Sequence, residues 1–196
     1  MDIGLPFGGP YGVILADPPW RFSTWSPKGK GRSADRHYPT MPLAEISALP
    51  VADVAARDAV LFLWATVPFL PAALGVMADW GFAYKTVAFV WVKTNRDGET
   101  IFNGQGYWTR QNAEFVLFGR RGDSKRVGRD VHSVVMSRRR EHSRKPDEIA
   151  ARIERLMGPV AVSGPRLELF ARTRRPGWDA WGNEVGKFPD RAATDA

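Results

Sequence analysis

Five stretches of the chain carry the apolar density of β-strands: Gly12 to Ala16, Ala59 to Ala65, Thr86 to Lys93, Glu114 to Gly119 and Arg166 to Ala171. Between them the period changes. Phe69, Leu70, Ala73, Leu74 and Met77 recur on one helical face, behind Thr66 as a capping residue and ahead of Gly81 as a stop. Ile149, Ile153, Leu156 and Met157 form a second such face, opened by Pro146-Asp147-Glu148, a first-turn proline followed by two acids. Strands alternating with helices predict βαβ units, a mostly parallel twisted sheet and a Rossmann-like three-layer α/β fold. Three stretches, about residues 21 to 41, 94 to 112 and 120 to 144, show neither period and read as long loops suited to a lid and a substrate channel. No internal repeat is visible. Residues 1–187 read as one domain and residues 188–196 as a disordered tail.

Composition narrows the class. With 196 residues, 44% of them apolar, the chain can bury one continuous core. No run approaches the roughly 18 apolar residues of a spanning helix, and the first residues lack a basic segment followed by an apolar one, so a cytoplasmic protein without a membrane partner is expected. The chain has no cysteine, which excludes disulfide frameworks, thiolate zinc sites and thiol nucleophiles. Its three histidines, His37, His132 and His142, are scattered and read as structural or surface residues, and no metal is expected. The net charge of +7 favours an anionic partner, with nucleic acid first. The cations are concentrated. Lys28, Lys30 and Arg32, then Arg120, Arg121, Lys125, Arg126 and Arg129, then Arg138, Arg139 and Arg140, all fall in segments read as loops, where they suit backbone phosphates.

The most informative chemistry follows the first apolar run. Val13-Ile14-Leu15-Ala16 reads as a buried strand, and Asp17-Pro18-Pro19-Trp20 as the rigid turn at its carboxyl end, where open α/β sheets bind ligands. The two prolines remove two backbone donors and leave the Asp17 carboxylate and free carbonyls as acceptors beside an indole. Such a set matches an amino group on a flat ring, and the exocyclic amine of adenine fits it. A turn that merely caps a strand has the same composition, so the tetrapeptide alone leaves both readings open. No G-x-G-x-x-G follows a strand, since Phe7 to Gly12 and Asn103 to Gly106 are poorly placed, and no phosphate-binding loop is present. Nicotinamide enzymes and NTPases are therefore set aside.

Seven short blocks in a fixed order resemble one family, the DPPW-type adenine-N6 methyltransferases, which include the catalytic subunit of the eukaryotic mRNA adenosine methyltransferase with bacterial and phage relatives. They are Asp17-Pro18-Pro19-Trp20, His37-Tyr38-Pro39-Thr40-Met41, Leu61-Phe62-Leu63-Trp64, Trp91-Val92-Lys93-Thr94-Asn95, His142 to Glu148, Leu167 to Arg172, and Trp181-Gly182-Asn183-Glu184. They run from about residue 12 to residue 185. The resemblance implies methyl transfer from S-adenosylmethionine to adenine N6, and a permuted order with the catalytic motif ahead of the cofactor strand. It implies a catalytic group of Asp17, Pro18, Pro19 and Trp20, in which Asp17 and the Pro18 carbonyl accept the amino protons. Trp20 and Tyr38 are implied as the adenine pocket, and Lys93 with the Asn95 loop as contacts to the substrate strand, beside the cationic run Arg138, Arg139 and Arg140. Around the cofactor it implies Asp17, Lys145 on the carboxylate, Glu168 and Phe170 facing the methionine and ribose, and Arg172, Asn183 and Glu184 reaching ribose and adenine.

The chain departs from the family in two places. Larger relatives carry a strand before the catalytic motif that supplies an acidic contact to the cofactor's adenine, and Asp2 is a poor substitute. Polar His and Asn side chains follow the arginine matched by Arg172 in the mRNA enzyme, whereas Arg174 and Arg175 stand here. The expected activity is N6 methylation of adenine in DNA, as in the bacterial or phage branch. RNA is the alternative substrate, and a catalytically inactive nucleic-acid-binding partner subunit is the alternative class; a homodimer or a hetero-partner is expected as the further partner.

Overall fold

The computed structural model describes residues 9–21, 40–140 and 144–188. The apolar runs become the strands of one seven-stranded sheet, in the order β5-β3-β4-β2-β1-β6-β7. These strands are β1 (Tyr11–Ala16), β2 (Ala55–Thr66), β3 (Ala83–Thr94), β4 (Ala113–Arg121), β5 (Val134–Arg138), β6 (Arg166–Leu169) and β7 (Asp179–Trp181). Only β4 runs against the rest: it pairs antiparallel with β2 and β3, while the other four pairings are parallel. The mostly parallel sheet expected from the sequence is therefore present.

Both faces are covered, which is why the central strands are apolar throughout rather than alternating. One face packs against α1 (Leu43–Ser47), α2 (Val51–Val54) and α3 (Leu70–Asp79) through Ile46, Val51, Ala73, Met77 and Trp80. The Trp80 indole donates to the Ile46 carbonyl at 3.0 Å, so its polar edge is satisfied inside that layer. The other face packs against α4 (Glu148–Met157) through Ile149, Ile153 and Met157, with Phe62, Trp64, Phe89 and Trp91 beneath them. A short α5 (Val160–Ser163) leads into β6. Three layers result. The sequence order is permuted in space as well, because β6, late in the chain, lies directly beside β1 with Leu15 opposite Glu168 and Ala16 opposite Leu169.

Several local expectations are corrected. Thr66 makes no side-chain cap: a 3-10 turn over Val67–Phe69 intervenes, α3 starts at Leu70, and Leu74 is on the exposed side while Val76 joins the buried one. The stretch 120 to 144 is not all loop, since it contains β5, and Arg138 is the last residue of that strand. β7 was not anticipated. The last of the expected strands stops at Leu169, and Phe170 turns away with φ +60°, a left-handed conformation costly for an aromatic residue and concentrated at functional sites. Phe188, placed with the tail, is tied in: its N–H donates to the Arg172 carbonyl at 3.2 Å, and Arg144 lies 4.5 Å over its ring. Residues 189–196 lie outside the described residues. Among the described residues no helix is long and apolar enough to cross a membrane.

Candidate active site

β1 and β6 deliver two carboxylates to the same edge of the sheet. Asp17 follows the last residue of β1, and its N–H donates to the Leu169 carbonyl of β6 at 3.3 Å, so the two strand tips are tied together. Glu168 stands on β6 one residue earlier. Both line one cleft, with Leu15 and Trp64 from the sheet, the start of α4, and the segment from Phe170 to Arg175 as walls.

Lys145 is central to this cleft. Its Nζ lies 2.8 Å from Asp17 Oδ1, 2.9 Å from Oδ2 and 3.4 Å from Glu114 Oε2, with the Trp64 ring 5.3 Å away. Glu114 also pairs with Lys93. The result is a chain of alternating charge, Asp17–Lys145–Glu114–Lys93, with little water around it. Burial alone would lift the Glu114 carboxyl above its ordinary 4.5, but Lys145 and Lys93 outweigh it and hold it below that value. Burial likewise opposes the Lys145 ammonium, and the carboxylates of Asp17 and Glu114 outweigh it, raising Lys145 above 10.5. Both groups are charged at neutral pH.

A second chain closes the other side. Arg175 Nε lies 2.8 Å from Glu168 and its Nη1 3.3 Å from Asp147, whose other oxygen takes Arg140 at 2.7 Å. Burial raises the Glu168 carboxyl above 4.5, and Arg175 offsets this only in part. Arg172 reaches Glu184 at 3.3 Å. Phe170 meets Trp181 edge to face, with ring centroids 5.5 Å apart.

Of the residues singled out from the sequence, Asp17, Lys145, Glu168, Phe170 and Arg172 converge on the cleft. Others do not. Trp20, expected to wall an adenine pocket, is a core residue: it is 5% exposed, stacks on Phe69 at 5.6 Å, and donates its indole N–H to the Trp64 carbonyl at 3.2 Å. Neither proline carbonyl is wholly free, because Pro18 accepts the Trp20 N–H at 2.9 Å and Pro19 accepts the Met41 N–H at 3.0 Å, which leaves one lone pair on each. Lys145, which does line the cleft, meets the carboxylates of Asp17 and Glu114. Lys93 turns inward to Glu114, while Asn95 folds its amide onto Thr100 at 2.9 Å. Arg139 caps the Phe102 ring at 3.5 Å and Arg138 stays exposed. Arg140, expected on phosphates, instead holds Asp147 and the Lys145 carbonyl. Asn183 is exposed and outside the cleft, and Glu184 approaches it only through Arg172. Tyr38 lies outside the described residues.

Glu114, Asp147, Arg175 and Phe188 were not singled out as site residues. The signal for Glu114 was present, a lone acid opening the apolar run Phe115-Val116-Leu117-Phe118, but its position depends on strand direction.

A three-layer, mostly parallel sheet with a charge-lined cleft at the carboxyl tips of two adjacent strands defines the class of Rossmann-like α/β proteins, and the fold is compatible with that of methyltransferases. Within that class the chain belongs to the MT-A70 family, whose model matches residues 11–184. It is 34% identical over 192 residues to the Type II methyltransferase M.MunI of a Mycoplasma species, covering 89% of this chain and 78% of that protein. It is 36% identical over 182 residues to an N(6)-adenosine-methyltransferase MT-A70-like protein of Arabidopsis thaliana, covering 90% and 24%. To the N6-methyladenosine RNA methyltransferase MTA1 of Cryphonectria parasitica it is 31% identical over 188 residues, covering 91% and 52%. The chain thus spans most of the first relative and about a quarter to a half of the other two.

Proposed function

We propose that the protein transfers the methyl group of S-adenosylmethionine to the exocyclic N6 amine of adenine in a nucleic acid, DNA before RNA. The observation that carries this reading is the Asp17 carboxylate held at the tip of β1, in one cleft with Glu168 at the tip of β6. DNA is placed first because the match extends over 78% of the Type II methyltransferase and over smaller shares of the adenosine and RNA methyltransferases. RNA is the second reading, favoured by the 31% identity to the RNA methyltransferase MTA1.

The lining suits S-adenosylmethionine, which carries an amino acid, a sulfonium, a ribose and an adenine. Arg172 and Arg175 offer donors to a carboxylate, Asp17, Asp147 and Glu168 attract cationic groups, and Phe170, Ile149 and Phe188 offer apolar contact. Bound there, the cofactor supplies an electrophilic methyl group.

The protein's part is acceptance and orientation. Adenine N6 is a poor nucleophile because its lone pair is delocalised into the ring. An acceptor for its N–H restores the lone pair, and Asp17 provides one with full negative charge. The hydrogen bond strengthens as positive charge develops on nitrogen, so Asp17 favours the transition state over the ground state. The family resemblance assigns the second N–H to the Pro18 carbonyl, which keeps one lone pair. Lys145 and Glu114 keep the Asp17 carboxylate in one orientation, which preserves attack geometry. After transfer, the surplus proton leaves N6 for Asp17 or water.

A radiolabelled methyl-transfer assay on DNA and RNA oligonucleotides, followed by nucleoside mass spectrometry, tests the reading. N6-methyladenine in DNA is the expected product. Asp17→Asn, which keeps the shape and removes the charge, should lower kcat by roughly 10²-fold or more. Near-wild-type turnover of that variant would reject the mechanism.

A further inference from the structure

A second and wider depression lies on the same face of the sheet, past the far end of α4. Its floor is apolar, with Val60 from β2, Phe89 from β3, Phe118 from β4 and Met157 from the last turn of α4. Its rim carries five cations: Lys85, Arg120, Lys125, Arg126 and Arg129. Asp123 answers two of them, Arg120 at 3.8 Å and Lys125 at 3.6 Å. Lys85, Arg126 and Arg129 are exposed and form no ion pair among the described residues. Nothing in the methyl-transfer site uses them.

The groove and the cleft share no lining residue, but both are built on β2 and α4. On β2, Trp64 lines the cleft and Val60 the groove, four residues or about 13 Å apart. On α4, Ile149 lines the cleft and Met157 the groove, eight residues or about 12 Å apart. Lys85 lies farther out, eight residues from Lys93 along β3, at most about 26 Å. Uncompensated positive charge along this rim suits a nucleic-acid backbone whose phosphates meet it.

We propose that this groove holds the nucleic-acid strand flanking the target adenine, with Lys85, Arg126 and Arg129 meeting phosphates about four to eight nucleotides from it, at roughly 3.4 Å per nucleotide. The proposal rests on the function proposed above and names where the polymer continues once its adenine is in the cleft. It separates affinity from chemistry: the groove sets how tightly a long substrate binds, and the Asp17 site sets how fast the bound adenine reacts.

The test compares deoxyoligonucleotides of about 6 and about 24 nucleotides, each with a central adenine, since only the longer reaches the groove. Wild type is set against Lys85→Glu/Arg126→Glu/Arg129→Glu and against the neutral triple variant with Gln at the same positions. In fluorescence anisotropy the charge-reversed protein should bind the long strand about 10-fold or more weakly, with a salt slope smaller by up to about three. The neutral variant should fall between. The short strand should bind all three proteins alike, and kcat at saturating long strand should be unchanged. Unchanged affinity and salt slope for the long strand would overturn the proposal. An equal loss for both lengths would also overturn it, since the cations would then act as general attraction. So would polyglutamate displacing the long strand as effectively as unlabelled oligonucleotide. If wild type methylated neither polymer, the functional reading would fail, while the anisotropy comparison would still decide the groove.

Discussion

Glu114 is the residue on which the charge of the site turns. It is 8% exposed and serves two lysines, so replacing it takes the paired carboxylate from Lys93 and leaves Lys145 with Asp17 alone, both in poorly solvated surroundings. Glu114→Gln should destabilise the fold by on the order of 3 kcal/mol in urea titrations near neutral pH. The pH dependence has a definite sign. Because the folded Glu114 carboxyl lies below 4.5, its contribution is complete above that value and is lost as pH falls through the lower folded one. Lys145 lies above 10.5, so its contribution is complete below that value and is lost as pH rises through the higher folded one. Glu168 works in the opposite direction to Glu114: its raised carboxyl costs stability as pH rises through it, and the cost disappears in acid. The Gln variant should therefore lack part of the acid limb seen in wild type. An identical acid limb in both proteins would mean that Glu114 is not the titrating partner.

At the level of elements, the short α5 must sit tightly against β1 for β6 to reach its place. A Cβ built on Gly12 would lie 1.8 Å from the Ser163 carbonyl oxygen, a backbone atom that cannot turn aside. Gly12→Ala should cost about 3 kcal/mol and shift β6, lowering methyl transfer together with stability; a variant as stable as wild type would show that α5 yields freely. The same level separates what could be read in the sequence from what could not. β1, β2, β3, β4, β6 and both longer helices were legible because each buries several apolar side chains in a regular period. β5 and β7 were not, since each is short, lies at a sheet edge and exposes much of its surface, leaving little apolar pattern. The direction of β4 was hidden as well. Run parallel, Glu114 would have stood at the opposite edge; run antiparallel, it faces Thr66 and Trp91 at the edge that holds Asp17. Asp17 could be placed at the cleft from sequence because it directly follows the first apolar run. Arg175 and Phe188 were missed because their roles depend on how the chain returns after β6. Trp20 was misplaced because an aromatic beside a strand-tip carboxylate can equally anchor the turn from below, as its stacking on Phe69 shows.

For the molecule as a whole, stability should be graded outward from the middle of the sheet. β1 and β2 are covered on both faces and flanked on both sides, while β5 and β7 are edges. Amide hydrogen exchange should be slowest at Ile14, Leu15, Leu61 and Phe62 and fastest in β5 and β7. Equal protection at centre and edge would contradict that gradient. The juxtaposition of β1 and β6 also has a temporal side. Asp17 and Glu168 are 151 positions apart in the chain, and at about 5–20 residues per second the ribosome makes the second roughly 8–30 s after the first. A nascent polypeptide that has emerged past β1 but not yet β6 thus presents the Asp17 carboxylate without the wall that completes the cleft.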